Sequence, residues 1–165
     1  MVDRTVRLEL YLLRHADAGD SGTWTRPDAE RPLSEKGLRQ ARRMARHLAA
    51  LGLEPDAIVT SPKVRAAETA AAVGEALHRG VTEDDRLADM LEIGTLEGIL
   101  HAAGDPRRAI LVGHDPDMSE LLATLVGATA LTMRKGALAR VDLTPPIAPG
   151  AGVLRWLIPP DALTG

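Results

Sequence analysis

Two arginines and two histidines sit where apolar runs of this chain break into polar sequence. Arg14 and His15 close the run Leu-Glu-Leu-Tyr-Leu-Leu that begins at Leu8. Arg65 comes about one helical turn after the run Ala57-Ile-Val-Thr60, across Ser61-Pro62-Lys63-Val64, and His114 directly follows Ala109-Ile-Leu-Val-Gly113. Guanidinium groups grip phosphoryl oxygens through paired, charge-assisted hydrogen bonds and stay charged at any working pH. Imidazole, with an ordinary pKa of about 6.5, can be a neutral nucleophile in one place and a protonated donor in another. A helix start at Ser61-Pro62 would add backbone N–H groups and the positive end of a dipole. These four residues are therefore candidates for handling a phosphoryl group. His47, His78 and His101 lack this context and read as exposed helix residues.

The elements that must position them follow from periodicity. Residues 8–13, 56–60 and 108–113 read as short buried strands, 81–87 as a weak third strand, and 137–143 and 153–158 as two more. Helices are expected from the Ser34 cap to the stop at Gly52, from a Ser61 cap with Pro62 at the first position to about Leu77, over 95–103, and over 117–126. The first helix places Leu38, Ala41, Ala45 and Leu48 on one side and a solvated face of Arg39, Arg42, Arg43 and Arg46 on the other. The polar stretch 16–32, which carries Trp24, is longer than an ordinary connection and reads either as a binding loop or as a surface excursion. Strands alternating with helices and ending in two adjacent strands predict an α/β fold. The expected architecture is a three-layer α/β/α sandwich with a mostly parallel central sheet and an antiparallel edge, in one domain spanning residues 1–165. Parallel strands deliver their C-terminal ends to one edge, so Arg14, His15, Arg65 and His114 can converge there.

Composition narrows the classes. The chain has 165 residues, 45% hydrophobic, with no Phe, two Trp and one Tyr, so its core must be built from Leu, Ala, Val and Ile. A net charge of −3 gives no case for general nucleic-acid binding. The absence of cysteine excludes disulfides, thiolate nucleophiles and Cys-based metal sites. No apolar run reaches the roughly 18 residues of a membrane span and no secretory leader pattern is visible, so a cytoplasmic protein is expected.

The pattern resembles a known family. Leu-Arg-His at 13–15, Thr-Ser-Pro-x-x-Arg-Ala-x-x-Thr-Ala at 60–70 and Gly-His-Asp-Pro at 113–116 are similar to the motifs of the histidine phosphatase superfamily, which includes phosphoglycerate mutases and acid phosphatases. Pro-Leu-Ser-Glu-Lys-Gly at 32–37, Leu-Arg-Trp-Leu at 154–157 and the small size look most like the SixA-like phosphohistidine phosphatases. The resemblance implies a phosphoglycerate mutase-like sandwich in which His15 attacks phosphorus and becomes phosphorylated. Arg14 and Arg65 would bind the phosphate oxygens, and His114 would complete the pocket as a donor. It implies neither metal nor cofactor, and a neutral His15 whose other ring N–H is bound by a backbone carbonyl. The implied partner is a phosphorylated protein, such as a histidine phosphotransfer domain or a phosphocarrier, admitted by short loops around an open site.

Two departures matter. Ala16 stands where the family has Gly, so the chain there must keep φ below zero, and Ala18 stands where the mutase branch often has Ser. In that branch an acidic residue after Arg-Leu-x protonates the leaving group, and here Arg86-Leu-Ala is followed by Asp89, with Glu92 nearby. An alkoxide needs such an acid, whereas a phosphorylated imidazole departs readily because its conjugate acid titrates near pH 6.5. A small-molecule phosphomonoesterase using Asp89 or Glu92, or a non-catalytic phosphate-binding module, are the alternative readings.

Overall fold

The computed structural model describes residues 7–164. Six strands form one sheet in the order β3-β2-β4-β1-β5-β6. They are β1 (Leu8–Arg14), β2 (Ala57–Thr60), β3 (Val81–Glu83), β4 (Arg108–Gly113), β5 (Leu138–Leu143) and β6 (Val153–Ile158). The pairs β1–β4, β2–β4 and β2–β3 are parallel, while β5 runs antiparallel to both β1 and β6. This is the expected mostly parallel sheet with an antiparallel edge.

Alternation along the strands splits the core in two. Leu8, Leu10 and Leu12 of β1, with Ala109 and Leu111 of β4, face α3 (Ile93–Ala102) and α4 (Asp117–Val126), where Leu96, Ile99, Met118, Leu122 and Leu125 meet them. Tyr11 and Leu13, with Ile110 and Val112, face α1 (Glu35–Ala50) and α2 (Val64–Leu77), packing on Met44, Leu48, Ala66, Ala70 and Val73. Without Phe, aliphatic side chains fill both layers. Tyr11 and Trp156 make a tilted aromatic pair at 5.9 Å between rings. Among the described residues, no helix is long and apolar enough to cross a membrane.

Three elements differ from the sequence expectation. The third strand stops at Glu83, because the Asp84 carboxylate accepts the Arg86 N–H at 3.0 Å and caps a 3₁₀ turn over Asp85–Ala88 that turns Leu87 into the core. The second helix starts at Val64 with Lys63 at the N-cap position, so Ser61 lies two residues before its cap. The Ser61 oxygen accepts the Lys63 N–H at 3.2 Å and lies 2.7 Å from His114 Nε2. Helix α3 begins two residues earlier than predicted, at Ile93. Of the remaining histidines, His78 and His101 are exposed as expected, but His47 is half-buried.

The start of α1 is docked against the chain just past β1. Ser34 caps the helix by accepting the Gly37 N–H at 3.0 Å, and its own hydroxyl donates to the Asp17 carboxylate at 2.6 Å. Gly37 lies against this same segment: a Cβ there would stand 1.9 Å from the Asp17 carbonyl oxygen. Helix propensity favours Ala over Gly by about 1 kcal/mol, but a clash with fixed backbone costs more, about 1–3 kcal/mol. Gly37→Ala is therefore expected to lower the melting temperature by several degrees in a thermal unfolding scan. A raised or unchanged midpoint would remove this account.

Candidate active site

Register brings the two histidines together. Arg14 is opposite Gly113 in the β1–β4 ladder, so the next residue of each strand, His15 and His114, are neighbours. The ladder continues one step further, with the His15 N–H on the Gly113 carbonyl at 3.0 Å. Both histidines keep the alternation of the strands behind them and lie on the α1/α2 side, where the first turn of α2 carries Arg65. The rings stand 5.2 Å apart between centroids and are tilted by 53°.

His15 donates Nδ1–H to the carbonyl of Ala16 at 2.7 Å, which leaves Nε2 with a free lone pair. Ala16 is itself buried and held by its own N–H to Thr69 Oγ1 at 3.1 Å, and its φ is not in the left-handed region. Alanine is thus accommodated where the family pattern has glycine. Arg14 turns to the other side of β1, where one terminal nitrogen donates to the Met133 carbonyl at 2.7 Å and lies 3.5 Å from the Asp115 carboxylate. Arg65 is almost fully buried, and both of its terminal nitrogens reach Asp28, one to the carbonyl and one to the carboxylate, each at 2.9 Å. The carboxylate of Asp28 also takes Arg31 Nε at 3.1 Å, and Arg31 donates to the Ala18 carbonyl at 2.7 Å. The stretch 16–32 is therefore tied to the site through Asp28 and is no loose excursion.

Burial governs the ionisation of both rings. Loss of water, with the charges of Arg65, Arg14 and Arg31 against only the Ala16 hydrogen bond, lowers His15 from 6.5 to about 4. Burial, with His15, Arg65 and Lys63 nearby, lowers His114 to about 3. Both are neutral near pH 7, so the expected protonated donor is absent from the free site. The unfolded histidines titrate near 6.5, so they take up protons below that pH while the folded ones do not. Stability contributed by the neutral pair is complete above pH 6.5 and is lost as pH falls toward 4. Between pH 7.5 and pH 5 this loss is of the order of 2 kcal/mol per histidine. Urea unfolding at the two pH values should show it, and His15→Ala should lose less; an equal acid loss in the variant would contradict this assignment.

Among the described residues four buried side-chain nitrogens have no hydrogen-bond partner: Arg14 Nε, Arg65 Nε, His114 Nδ1 and Arg43 Nε. Three of them belong to this rim. An unmet buried donor costs about 1–3 kcal/mol, and an oxyanion with several acceptor oxygens is the kind of ligand that meets such donors together. Asp89 is not among these groups. It is exposed at the exit of the 3₁₀ turn, where its carboxylate accepts the Met90 N–H at 2.9 Å. Its charge acts on Asp117 at the start of α4, whose carboxyl is pushed up by burial and by Glu120, Asp89 and Asp115. Glu92 is exposed just before α3 and makes no capping bond.

Sequence reasoning did not find Asp28 or the Ser61–His114 contact. Asp28 is one carboxylate in a polar loop and carries no local signal. Ser61 was visible within the Thr-Ser-Pro motif, but there it reads as a helix cap.

The arrangement has relatives. Residues 10–109 match the histidine phosphatase superfamily (branch 1). An uncharacterized protein of Picosynechococcus sp. is 36% identical over 118 residues, covering 68% of this chain and 70% of the relative. Phosphohistidine phosphatase SixA of Escherichia coli is 27% identical over 159 residues, covering 93% of this chain and 94% of that protein. The solved structure of the protein histidine phosphatase SixA complexed with tungstate matches with a TM-score of 0.82 at 26% identity, over 95% of this chain and 100% of the other. With the family match covering most of the chain and the fold shared from end to end, this protein belongs to the histidine phosphatase superfamily, branch 1, and within it is SixA-like.

Proposed function

We propose that the protein is a phosphohistidine phosphatase acting on a phosphorylated protein, with His15 as the nucleophile. The observation that carries the reading is the free Nε2 of a neutral His15 beside a second imidazole and two guanidinium groups with unmet donors. Nε2 attacks phosphorus, the P–N bond to the substrate imidazole breaks, and that ring leaves as neutral imidazole when its other nitrogen is protonated. Water then attacks the phosphorus on His15, the second P–N bond breaks, and inorganic phosphate departs with the proton balance taken from that water. Arg14, Arg65 and His114 hold the equatorial oxygens through both steps, where fixed donors act most strongly on a loose phosphoryl transition state. No residue has to act as acid toward an imidazole leaving group, which agrees with the exposed positions of Asp89 and Glu92.

A protein substrate fits the rim. The connections from Thr60 to Val64 and from Gly113 to Asp117 are short. The longer segments beside the histidines are the 16–32 stretch and the chain leading into β5, whose Gly136 N–H reaches the His15 carbonyl at 2.9 Å. The tungstate complex of SixA is a further support, since tungstate is a tetrahedral oxyanion of the phosphate type. The test is a panel of proteins phosphorylated on histidine, such as a histidine phosphotransfer domain or a phosphocarrier, set against small phosphomonoesters. Phosphate release is expected from the first set only, with a transient acid-labile label on His15. Efficient ester turnover that collapses in Asp89→Asn would instead establish the phosphomonoesterase reading. No release from any substrate would leave a phosphate-binding module.

A further inference from the structure

Ser61 is fully buried in the tight connection between β2 and α2, and the reading above gives it no task. Its oxygen lies 2.7 Å from His114 Nε2 and accepts the Lys63 N–H at 3.2 Å. The other ring nitrogen, His114 Nδ1, is buried without a partner. Counting donors and acceptors separates the two neutral tautomers. With the proton on Nε2, Ser61 Oγ accepts from both His114 and Lys63, its own proton is stranded, and Nδ1 is a stranded lone pair. With the proton on Nδ1, Ser61 donates to Nε2 while accepting from Lys63, and the only unmet group is the Nδ1–H donor. Unmet buried groups are costly, so the second arrangement wins.

We propose that Ser61 is a positioning residue that locks His114 in its neutral Nδ1–H tautomer, so that the ring offers a hydrogen bond to the transferring phosphoryl group without carrying charge. The phosphoryl acceptor rests on the phosphatase reading; the tautomer does not. The lock resolves a conflict within the site: a donor is wanted there, but a cationic imidazole would lie beside His15 and Arg65, away from water. In the opposite tautomer His114 would present a lone pair to an anion, which repels it.

The test is long-range proton–nitrogen NMR correlation of the imidazoles in ¹⁵N-labelled protein at neutral pH. His114 of the wild type is expected to show a protonated Nδ1 and an unprotonated Nε2. Ser61→Ala should shift the pattern toward Nε2–H and lower kcat on a phosphohistidine protein by about ten- to hundredfold. Ser61→Thr, which keeps the hydroxyl, should restore both. A wild-type His114 protonated on Nε2 overturns the proposal without any variant, as does a Ser61→Ala protein with unchanged tautomer and kcat. The NMR signal is read without substrate, so an inactive protein cannot be mistaken for a failed lock.

Discussion

His15→Ala is expected to leave turnover of a phosphohistidine protein at least about 10⁴-fold below wild type and to form no acid-labile phosphoprotein. The variant loses the ring whose Nδ1–H is spent on the Ala16 carbonyl and whose Nε2 is free for phosphorus. What remains is attack by water, without the covalent step that divides one hard transfer into two easier ones. Arg14, Arg65 and His114 come from other anchors, namely Met133, Asp28 and Ser61, and their positions do not depend on the His15 ring. Competition by inorganic phosphate should therefore survive within several-fold, placing the loss in kcat and not in binding. A variant that releases phosphate at the wild-type rate would refute covalent catalysis through this residue.

Arg65→Lys is expected to lower kcat/KM by about 10²–10³-fold, close to the effect of Arg65→Ala. The charge is kept, but the geometry is not. Arg65 spends both terminal nitrogens on Asp28, and its Nε is the donor still unmet. A planar fork can hold the loop and an oxyanion together. A single ammonium must choose, and Asp28 is already beside it. Removing the guanidinium strands no buried charge, because the Asp28 side chain is 55% exposed. Thermal stability should therefore change far less than activity. The check is kcat/KM on a phosphohistidine protein alongside a melting curve; a lysine variant within threefold of wild type would mean that Asp28, not the substrate, is the reason for this arginine.

Much of the frame was legible because its information is local. An apolar run broken by Arg14-His15, another broken before Arg65 and a third broken at His114 each announce a strand end within a few residues of sequence. The rule that parallel strands share an edge then brings them to one rim. Ser34 was likewise readable as a cap, since capping is a matter of one side chain and the N–H three residues on. Local reading failed at Ser61 and at the end of the third strand. Ser61 looks like a helix cap, but the helix starts only at Val64, and the Ser61 hydroxyl meets His114, 53 residues away, a contact no local pattern announces. The weak strand read over 81–87 fails for a local reason instead: the Asp84 carboxylate takes the Arg86 N–H two residues on and turns the chain after Glu83.

The sequence by itself determined the kinds of groups available, the strands that carry them and the edge where they end, because periodicity and breaks are properties of neighbouring residues. Tertiary structure alone decided how those groups are held. Asp28 meets Arg65 across 37 residues, Gly37 is needed because Asp17 backbone passes against it, and burial keeps both imidazoles neutral. Each of these depends on how far-separated segments pack, and on how much water that packing excludes, which no stretch of sequence contains on its own.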